Sequence, residues 1–438
     1  MFAFTLIKLY YTNMKAEQFI TIKPGQYSVL YVDMNSFFAS VEQFYNPALR
    51  RRPVAVSTSP VGGSIIAASI EAKLYGIKTG TRVGQAIAMC PQLVVVGDRP
   101  ELYRTAHRQI MKILHSTVCH VQAKSIDEAY LKVPSYMQSR DQVIELVESI
   151  KASLHSIYGS SVLCSVGVSH NVWLAKMAGN SQKPNGLVFV SSDDLASFYG
   201  GQVLTDFTGI STAMAKRLYQ IGIETPLQLY SASWRLLNSK LGVNGGKWYL
   251  RMRGFEVDIR ADRPNKSIGH QVTTAPSLAG TVGEITTYIN KMSTTLGSRL
   301  RSKSLAASGL ALYIRFDNGE WWASSFKKTS MFRSNSEILA LLKMLLEKLT
   351  FMPSPASRIG VTLLNLAADR QITMAIAGYD GKNLSLSIAM DEINRRYGPN
   401  TIMPLRSHSA SHIRLDRVGF AGDIIREQPS LKAADNYL

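Results

Sequence analysis

The chain has 438 residues, 46% hydrophobic and 18% charged, a globular balance that excludes wholesale disorder and a length that calls for about two to four domains. Lys and Arg outnumber Asp and Glu by 49 to 31, and the net charge of +18 points to a polyanionic partner, nucleic acid or an acidic membrane surface. No apolar run reaches the roughly 18 residues of a membrane span, and Cys90, Cys119 and Cys164 form no CxxC pair, which argues against a zinc site or disulfide framework and for reduced thiols in a cytoplasm.

Residues 1–26 begin with the short apolar MFAFTLIKLYY, without a preceding basic region or a following cleavage site, and are read as an N-terminal extension, with Met14 an alternative start. The β-branched and aromatic run 28–33 predicts a buried strand, and Asn35 a helix running to Tyr45. Strands follow at 54–57 and 64–68, helices at 69–75 and 82–89, a strand at 93–96 and a helix at 101–118. Residues 121–124 and 128–133 read as strands around a tight corner at Ser125–Asp127. A long amphipathic helix at 141–158 precedes strand 162–168, helix 172–182 and strand 187–190. This mixture predicts an α+β or α/β core over residues 27–200. Residues 201–262 change to short helices with basic residues, and Thr225-Pro226 reads as a helix start. A polar linker at 262–266 leads to strand-like (309–316) and helical (285–302, 338–349) runs in a separate α+β domain. A last helix, 383–397, stops at Gly398-Pro399.

The chemistry begins with carboxylates. Asp33 closes a predicted strand, and Asp127-Glu128 sits in a predicted hairpin corner. Crowded acids are costly unless a cation lies between them. Magnesium takes one or two carboxylates plus phosphate oxygens, so three acids on neighbouring strand ends could hold two ions. A lone Asp after a strand is more often a cap or turn residue.

Four strings raise that reading: YVDMNSFFASVE (Tyr31–Glu42), AASIEAKLYGIKTG (Ala67–Gly80), SIDEAYL (Ser125–Leu131) and SVGVSHNVWLAKMAGNSQKPNG (Ser165–Gly186). In this order they closely resemble the Y-family translesion DNA polymerases, nearest the DinB or DNA polymerase IV branch, over about residues 27–365. The resemblance implies Asp33, Asp127 and Glu128 as catalytic, metal-binding acids, with the Met34 carbonyl as a further ligand of two Mg²⁺ ions. It implies nucleotide contacts at Phe37, Phe38, Ile70, Lys73 and Lys183. Phe38 falls at the steric gate that excludes a 2′-hydroxyl, and Lys183 at a lysine that meets the triphosphate. Plain core packing is the competing reading for both Phe residues. Ile70 and Lys73 depart from the usual Tyr and Arg; Lys keeps a charge without the fork, and Ile keeps no donor. Asn35 also departs, since DinB-type enzymes usually carry Asp there and the UmuC branch often Asn.

Downstream, LTDFTGISTAMAKRLYQIGIETP (Leu204–Pro226) resembles a helix-hairpin-helix that would meet DNA phosphate through Gly209, Ser211, Lys216 and Arg217 without reading sequence. KSIGHQ, from Lys266, resembles the start of the family's little finger, implying a further DNA contact at Lys266. Residues 266–365 hold 12 Lys/Arg against 5 Asp/Glu, and residues 366–438 hold 9 against 8, so the positive excess belongs to folded segments rather than a tail. Gln371–Met374 and Gln428–Leu431 partly match sliding-clamp peptides.

These readings combine into a multidomain α+β right-hand polymerase. The expected parts are a ferredoxin-like palm with small fingers (27–200, fingers about 45–98), a helical thumb (201–262), an α+β little finger (263–365) and a C-terminal helix and tail (366–438). The expected activity is template-directed extension of primed DNA with dNTPs at low fidelity, in translesion synthesis, by a monomer in the cytoplasm at the nucleoid and not at a membrane. The alternatives are a catalytically inactive relative serving as a DNA- or clamp-binding scaffold, and a two-metal nuclease.

Overall fold

A computed structural model describes residues 27–60, 62–134, 136–137, 139–257, 267–274, 279–368, 380–398 and 400–405. They form two compact units, one from residues 27–257 and one from 267–405.

The first unit opens with β1 (Val29–Met34) and α1 (Phe37–Tyr45). Sequence predicted Asn35 as the helix start, but α1 begins two residues later, after Ser36 at φ +52°. The Asn35 side chain is committed to Ser165 and Asn185 instead of capping the helix. Next come β2 (Val54–Ser57), β3 (Ile65–Ala68), α2 (Ile70–Lys73), α3 (Val83–Met89) and β4 (Val94–Gly97). The three strands make a separate small sheet, ordered β3-β2-β4, with its own core around Ala55, Ile77 and Ala86. Ser69 caps α2 by accepting the Ala72 N–H, which explains a helix as short as four residues.

The chain then forms α4 (Pro100–Thr117), β5 (Val121–Ala123), β6 (Glu128–Lys132), α5 (Arg140–Tyr158), β7 (Cys164–Ser169), α6 (Val172–Ser181) and β8 (Leu187–Phe189). The main sheet is ordered β5-β6-β1-β7-β8 and is antiparallel except for the β7–β8 pair. Within it, β1, β5, β6 and β7 with the crossing helices α4 and α5 have the βαββαβ order expected of a ferredoxin-like palm. Alternation along β1 sends Leu30, Val32 and Met34 into the core under α1, α4 and α5. Val29 and Tyr31 face α6, joined by Tyr130, Val172 and Ala175. The helix α6 lies very close to β7: a Cβ on Gly167 would stand 1.9 Å from the Ala175 carbonyl oxygen. Only glycine permits that approach.

Five helices complete the unit: α7 (Leu195–Gly200), α8 (Thr212–Tyr219), α9 (Pro226–Ser231), α10 (Trp234–Leu241) and α11 (Val243–Arg251). Their core is shared with α6 through Trp173, Leu174 and Met177. The helical layer starts before residue 201, because Tyr199 of α7 is fully buried in it and donates to the Met252 carbonyl at 2.7 Å. Thr225 caps α9 in a capping box with Gln228, as its Thr-Pro start predicts.

The second unit contains β9 (Ser267–Thr273), α12 (Val282–Ser302), β10 (Leu305–Phe316), β11 (Trp321–Phe332), α13 (Asn335–Leu346), β12 (Ala356–Ala368) and α14 (Asp380–Tyr397). Its antiparallel sheet is ordered β11-β10-β12-β9. Leu310, Leu312, Ile314, Ile359, Val361 and Leu363 point into a core closed by α12 and α13. The expected boundary at residue 365 is displaced: β12 runs on to Ala368, and α14 packs on α12 and α13. Arg301 of α12 holds Asp391 of α14 through Nε–Oδ2 and Nη2–Oδ1 bonds of 2.7 and 3.0 Å. α14 ends as expected at Gly398, where φ is +109°.

Candidate active site

The three predicted acids meet at one end of the main sheet. Asp33 and Glu128 are direct cross-strand partners in the β1–β6 ladder and point to the same face, and Asp127 sits in the corner before β6. Met34 ties this corner together by donating its N–H to the Asp127 carbonyl at 2.9 Å, while its side chain is buried.

Each carboxylate has a local partner. Lys183 Nζ lies 2.8 Å from Asp33 Oδ2. Lys176, on the face of α6 pressed to the sheet, bonds Glu128 Oε1 and lies over the Tyr31 ring, 5.3 Å from its centroid. The Ser125 hydroxyl donates to Asp127 Oδ1. Burial pushes Asp33 up to about 6, and the charges of Glu128 and Asp127 add to this against the pull of Lys183. Burial, followed by Glu128, also raises Asp127, whereas Glu128 is held below its ordinary value: there Lys176 and hydrogen bonds from Tyr31 and Asp33 outweigh burial.

Among the described residues no three acidic, histidine or cysteine side chains form a ready-made metal cage; the carboxylates are turned to Lys183, Ser125 and Lys176. The donor set nevertheless fits a divalent cation. A site using one or two carboxylates with phosphate oxygens needs no closed protein cage, and three desolvated acids crowded at one strand end favour a cation among them.

Phe37 and Phe38 are both buried, at 3% and 4% exposure. Phe38 stacks on Tyr103 of α4 with centroids 4.3 Å apart. The Tyr103 hydroxyl donates to Glu42 Oε1 at 2.7 Å, and Arg99 Nε donates to the same oxygen at 3.0 Å. Glu42 is itself buried. Lys73 is exposed as a residue; burial and the charge of Lys183 lower its pKa, with the charges of Asp33 and Asp127 opposing. Ile70, one turn earlier, is half-buried.

Lys183 arrives on the loop after α6. Gly186 is required there, because a Cβ would stand 2.0 Å from the Gln182 carbonyl oxygen. Lys151 of α5 donates to the Asn185 and Gly186 carbonyls at 2.7 and 3.3 Å. Lys176, Tyr103 and Ser165 were missed in the sequence. Lys176 carried a usable signal, a lysine at an apolar-periodic position of a helix; Tyr103 carried none, being one aromatic among many helical apolar positions.

In the helical layer Gly209 adopts φ +100° beside Trp248, and Ser211 caps α8 by accepting the Met214 N–H at 3.3 Å. Lys216 and Arg217 are exposed on α8. In the second unit, the sheet face away from α12 and α13 carries exposed Arg315, Lys327 and Arg358, and Tyr313 stacks on Trp321. Lys266, Gln371–Met374 and Gln428–Leu431 lie outside the described residues.

Residues 32–180 match the impB/mucB/samB family and residues 265–374 the impB/mucB/samB family C-terminal domain. A protein named DNA polymerase IV from Bacteroides fragilis is 30% identical over 338 residues, 77% of this chain and 92% of that protein. One of the same name from Pelotomaculum thermopropionicum is 30% identical over 398 residues, 90% and 98%. Among solved structures, a Y-family DNA polymerase chimera, Dbh-Dpo4(243-245)-Dbh, shares the fold with a TM-score of 0.67 at 24% identity, covering 78% of this chain and 99% of the chimera.

Proposed function

Because the chain belongs to the impB/mucB/samB family and is a Y-family, DinB-like DNA polymerase, we propose that the site at Asp33, Asp127 and Glu128 extends primed DNA with dNTPs, as directed by a template, at low fidelity and across lesions. The observation that carries this is the Asp33–Glu128 cross-strand pair with Asp127 beside it, at a strand end reached by two lysines.

We assign Asp33, Asp127, Glu128 and the Met34 carbonyl to two divalent ions, taken as Mg²⁺. When bound, the ions supply activation of the primer 3′-hydroxyl and charge neutralisation on the triphosphate and the leaving pyrophosphate. The protein's own groups bind and orient. Lys183 and Lys73 place positive charge where the triphosphate arrives, and the small fingers sheet over β2–β4 carries Lys73 to that position. Phe38, backed by Tyr103, presents a fixed edge to the sugar and excludes a 2′-hydroxyl, with Phe37 as packing beside it. The lysines paired with Asp33 and Glu128 oppose the burial that favours the neutral carboxyls.

The grip on DNA is electrostatic and independent of sequence. The Gly209–Ser211 turn, with Lys216 and Arg217, suits backbone phosphate on one side. In the second unit, Arg315, Lys327 and Arg358 on one sheet face suit another stretch of duplex, with Lys266 a further contact. Residues 27–200, 201–262 and 263–365 thus serve as palm with fingers, thumb and little finger, the last extended by β12 and α14. No helix of the described residues is long and apolar enough to cross a membrane. We place the enzyme in the cytoplasm at the nucleoid, as a monomer, with Gln371–Met374 or Gln428–Leu431 as its clamp peptide.

Primer extension with Mg²⁺ on undamaged and lesion-bearing templates tests the whole reading, with Asp127→Ala and Glu128→Ala as controls. Both variants lose extension and retain DNA binding. Extension by either at the wild-type rate removes the metal assignment; degradation in place of extension makes the protein a nuclease. Binding without either reaction makes it a scaffold.

A further inference from the structure

Asn35 departs from the Asp usual in the DinB-type enzymes that the chain resembles, and it is buried at 4% exposure, two residues past Asp33. Its surroundings show what it holds. The Asn35 Oδ1 accepts the Asn185 backbone N–H at 2.8 Å, and Nδ2 donates to Ser165 Oγ at 3.1 Å. Ser165 Oγ accepts the Gly186 N–H at 3.2 Å. The Asn35 backbone is equally fixed, its N–H donating to Leu163 and its carbonyl accepting the Ser40 hydroxyl, both at 2.8 Å. The Asn35 side chain therefore holds Asn185 directly and Gly186 through Ser165 of β7, while its backbone is fixed to the start of α1. Asn185 itself sits at φ +56°, in the left-handed region that asparagine adopts more readily than other non-glycine residues.

We propose that Asn35 is a positioning residue that sets the Lys183 ammonium for the nucleotide triphosphate through the 185–186 loop. This rests on the assignment of Lys183 to the triphosphate. Buried polar networks act as a unit, so losing one member releases all of its partners. An alanine at 35 strands the Asn185 N–H and leaves the Ser165 hydroxyl only its bond from the Gly186 N–H. An aspartate, by contrast, satisfies the same geometry, accepting from both the Asn185 N–H and the Ser165 hydroxyl while Ser165 still accepts from Gly186. The hydrogen bonds, not the neutral amide, are the part this function needs.

Steady-state nucleotide titrations on a primed template decide the matter, run on wild type, Asn35→Ala, Asn35→Asp, Lys183→Ala and the Asn35→Ala/Lys183→Ala double variant, with DNA affinity and Tm measured alongside. Asn35→Ala raises the nucleotide KM at least about fivefold, with a smaller change in kcat and an unchanged DNA Kd. Asn35→Asp returns KM to within about threefold of wild type. In the double variant the alanine at 35 adds little to the Lys183→Ala defect, because both act through one group. An unchanged KM in Asn35→Ala beside a raised KM in Lys183→Ala overturns the inference and leaves the Lys183 assignment standing. An unchanged KM in Lys183→Ala removes that assignment and the inference with it. An Asn35→Asp variant as impaired as Asn35→Ala, or full additivity in the double variant, also overturns it. If Asn35→Ala does not fold, Ser165→Ala, which removes the acceptor of both the Gly186 N–H and Asn35 Nδ2 with little change of volume, must raise KM in the same direction.

Discussion

The rings of Phe38 and Tyr103 lie face to face, 4.3 Å between centroids and 16° from parallel. Tyr103 cannot slide away, because its hydroxyl is held by buried Glu42, which Arg99 holds in turn. A ring fixed from behind makes a rigid wall, and a wall can discriminate between sugars that differ by one oxygen.

Phe38→Ala is therefore expected to weaken discrimination against ribonucleotides at least about tenfold, a difference of about 1.4 kcal/mol in activation free energy. Tyr103→Leu, which leaves the wall but softens its backing, gives a smaller loss. Competing incorporation of ribo- and deoxyribonucleotides on one template measures both. A Phe38→Ala enzyme as selective as wild type reduces Phe38 to a core residue.

The raised pKa of Asp33 makes a prediction about stability. Its carboxyl titrates near 6 in the folded protein against 3.8 for the ordinary carboxyl, chiefly from burial. The folded state thus binds the proton more tightly than the unfolded state. Its contribution favours folding below about pH 4 and is lost as pH rises through 6. Metal-free Asp33→Asn, which cannot ionise, is expected to be more stable than wild type at pH 7–8 by on the order of 1–3 kcal/mol, with the gain shrinking towards pH 4. Denaturant unfolding in chelator across that range checks it. A gain that is flat with pH removes the explanation.

DNA affinity is expected to fall steeply with salt, since released counterions drive binding. Lys216→Ala and Arg217→Ala should each weaken binding about equally on unrelated sequences and reduce the slope of log K against log salt by about 1. Fluorescence anisotropy over a salt series reads this directly. Unchanged slopes in both variants place the thumb contact elsewhere.

Ile70 and Lys73 stand at the two ends of the short helix α2, three residues apart and hence on one face. A tyrosine hydroxyl there would make a charge-assisted bond to a phosphate oxygen, worth about 1.5–3 kcal/mol. Ile70→Tyr is accordingly expected to lower the nucleotide KM by roughly 10- to 100-fold, with less effect on DNA binding. An unchanged or raised KM in a folded variant assigns the phosphate grip to other donors, with Lys78 and Arg82 the next to test.

The sequence by itself determined the elements and the identity of the chemistry. The β-branched and aromatic run of β1 and the acid pair at the β5–β6 corner were legible because strand and turn propensity are local. The helix starts at Thr225 and the stop at Gly398 were legible for the same reason. Motif order then marked Asp33, Asp127, Glu128, Phe38 and Lys183. The start of α1 was misplaced because Asn35 looks like a cap locally. Its side chain is claimed instead by Ser165 and Asn185, 130 and 150 residues away. The same limit hid Lys176 on Glu128, Tyr103 behind Phe38, and α14 joined to α12 by Arg301–Asp391. Each of these depends on which surfaces meet after the chain has closed. Close approach is decided by features such as the missing Cβ of Gly167, which lets α6 lie against β7, where Lys176 meets Glu128. Local pattern records what each segment prefers to be; only packing decides which of its side chains end up facing one another.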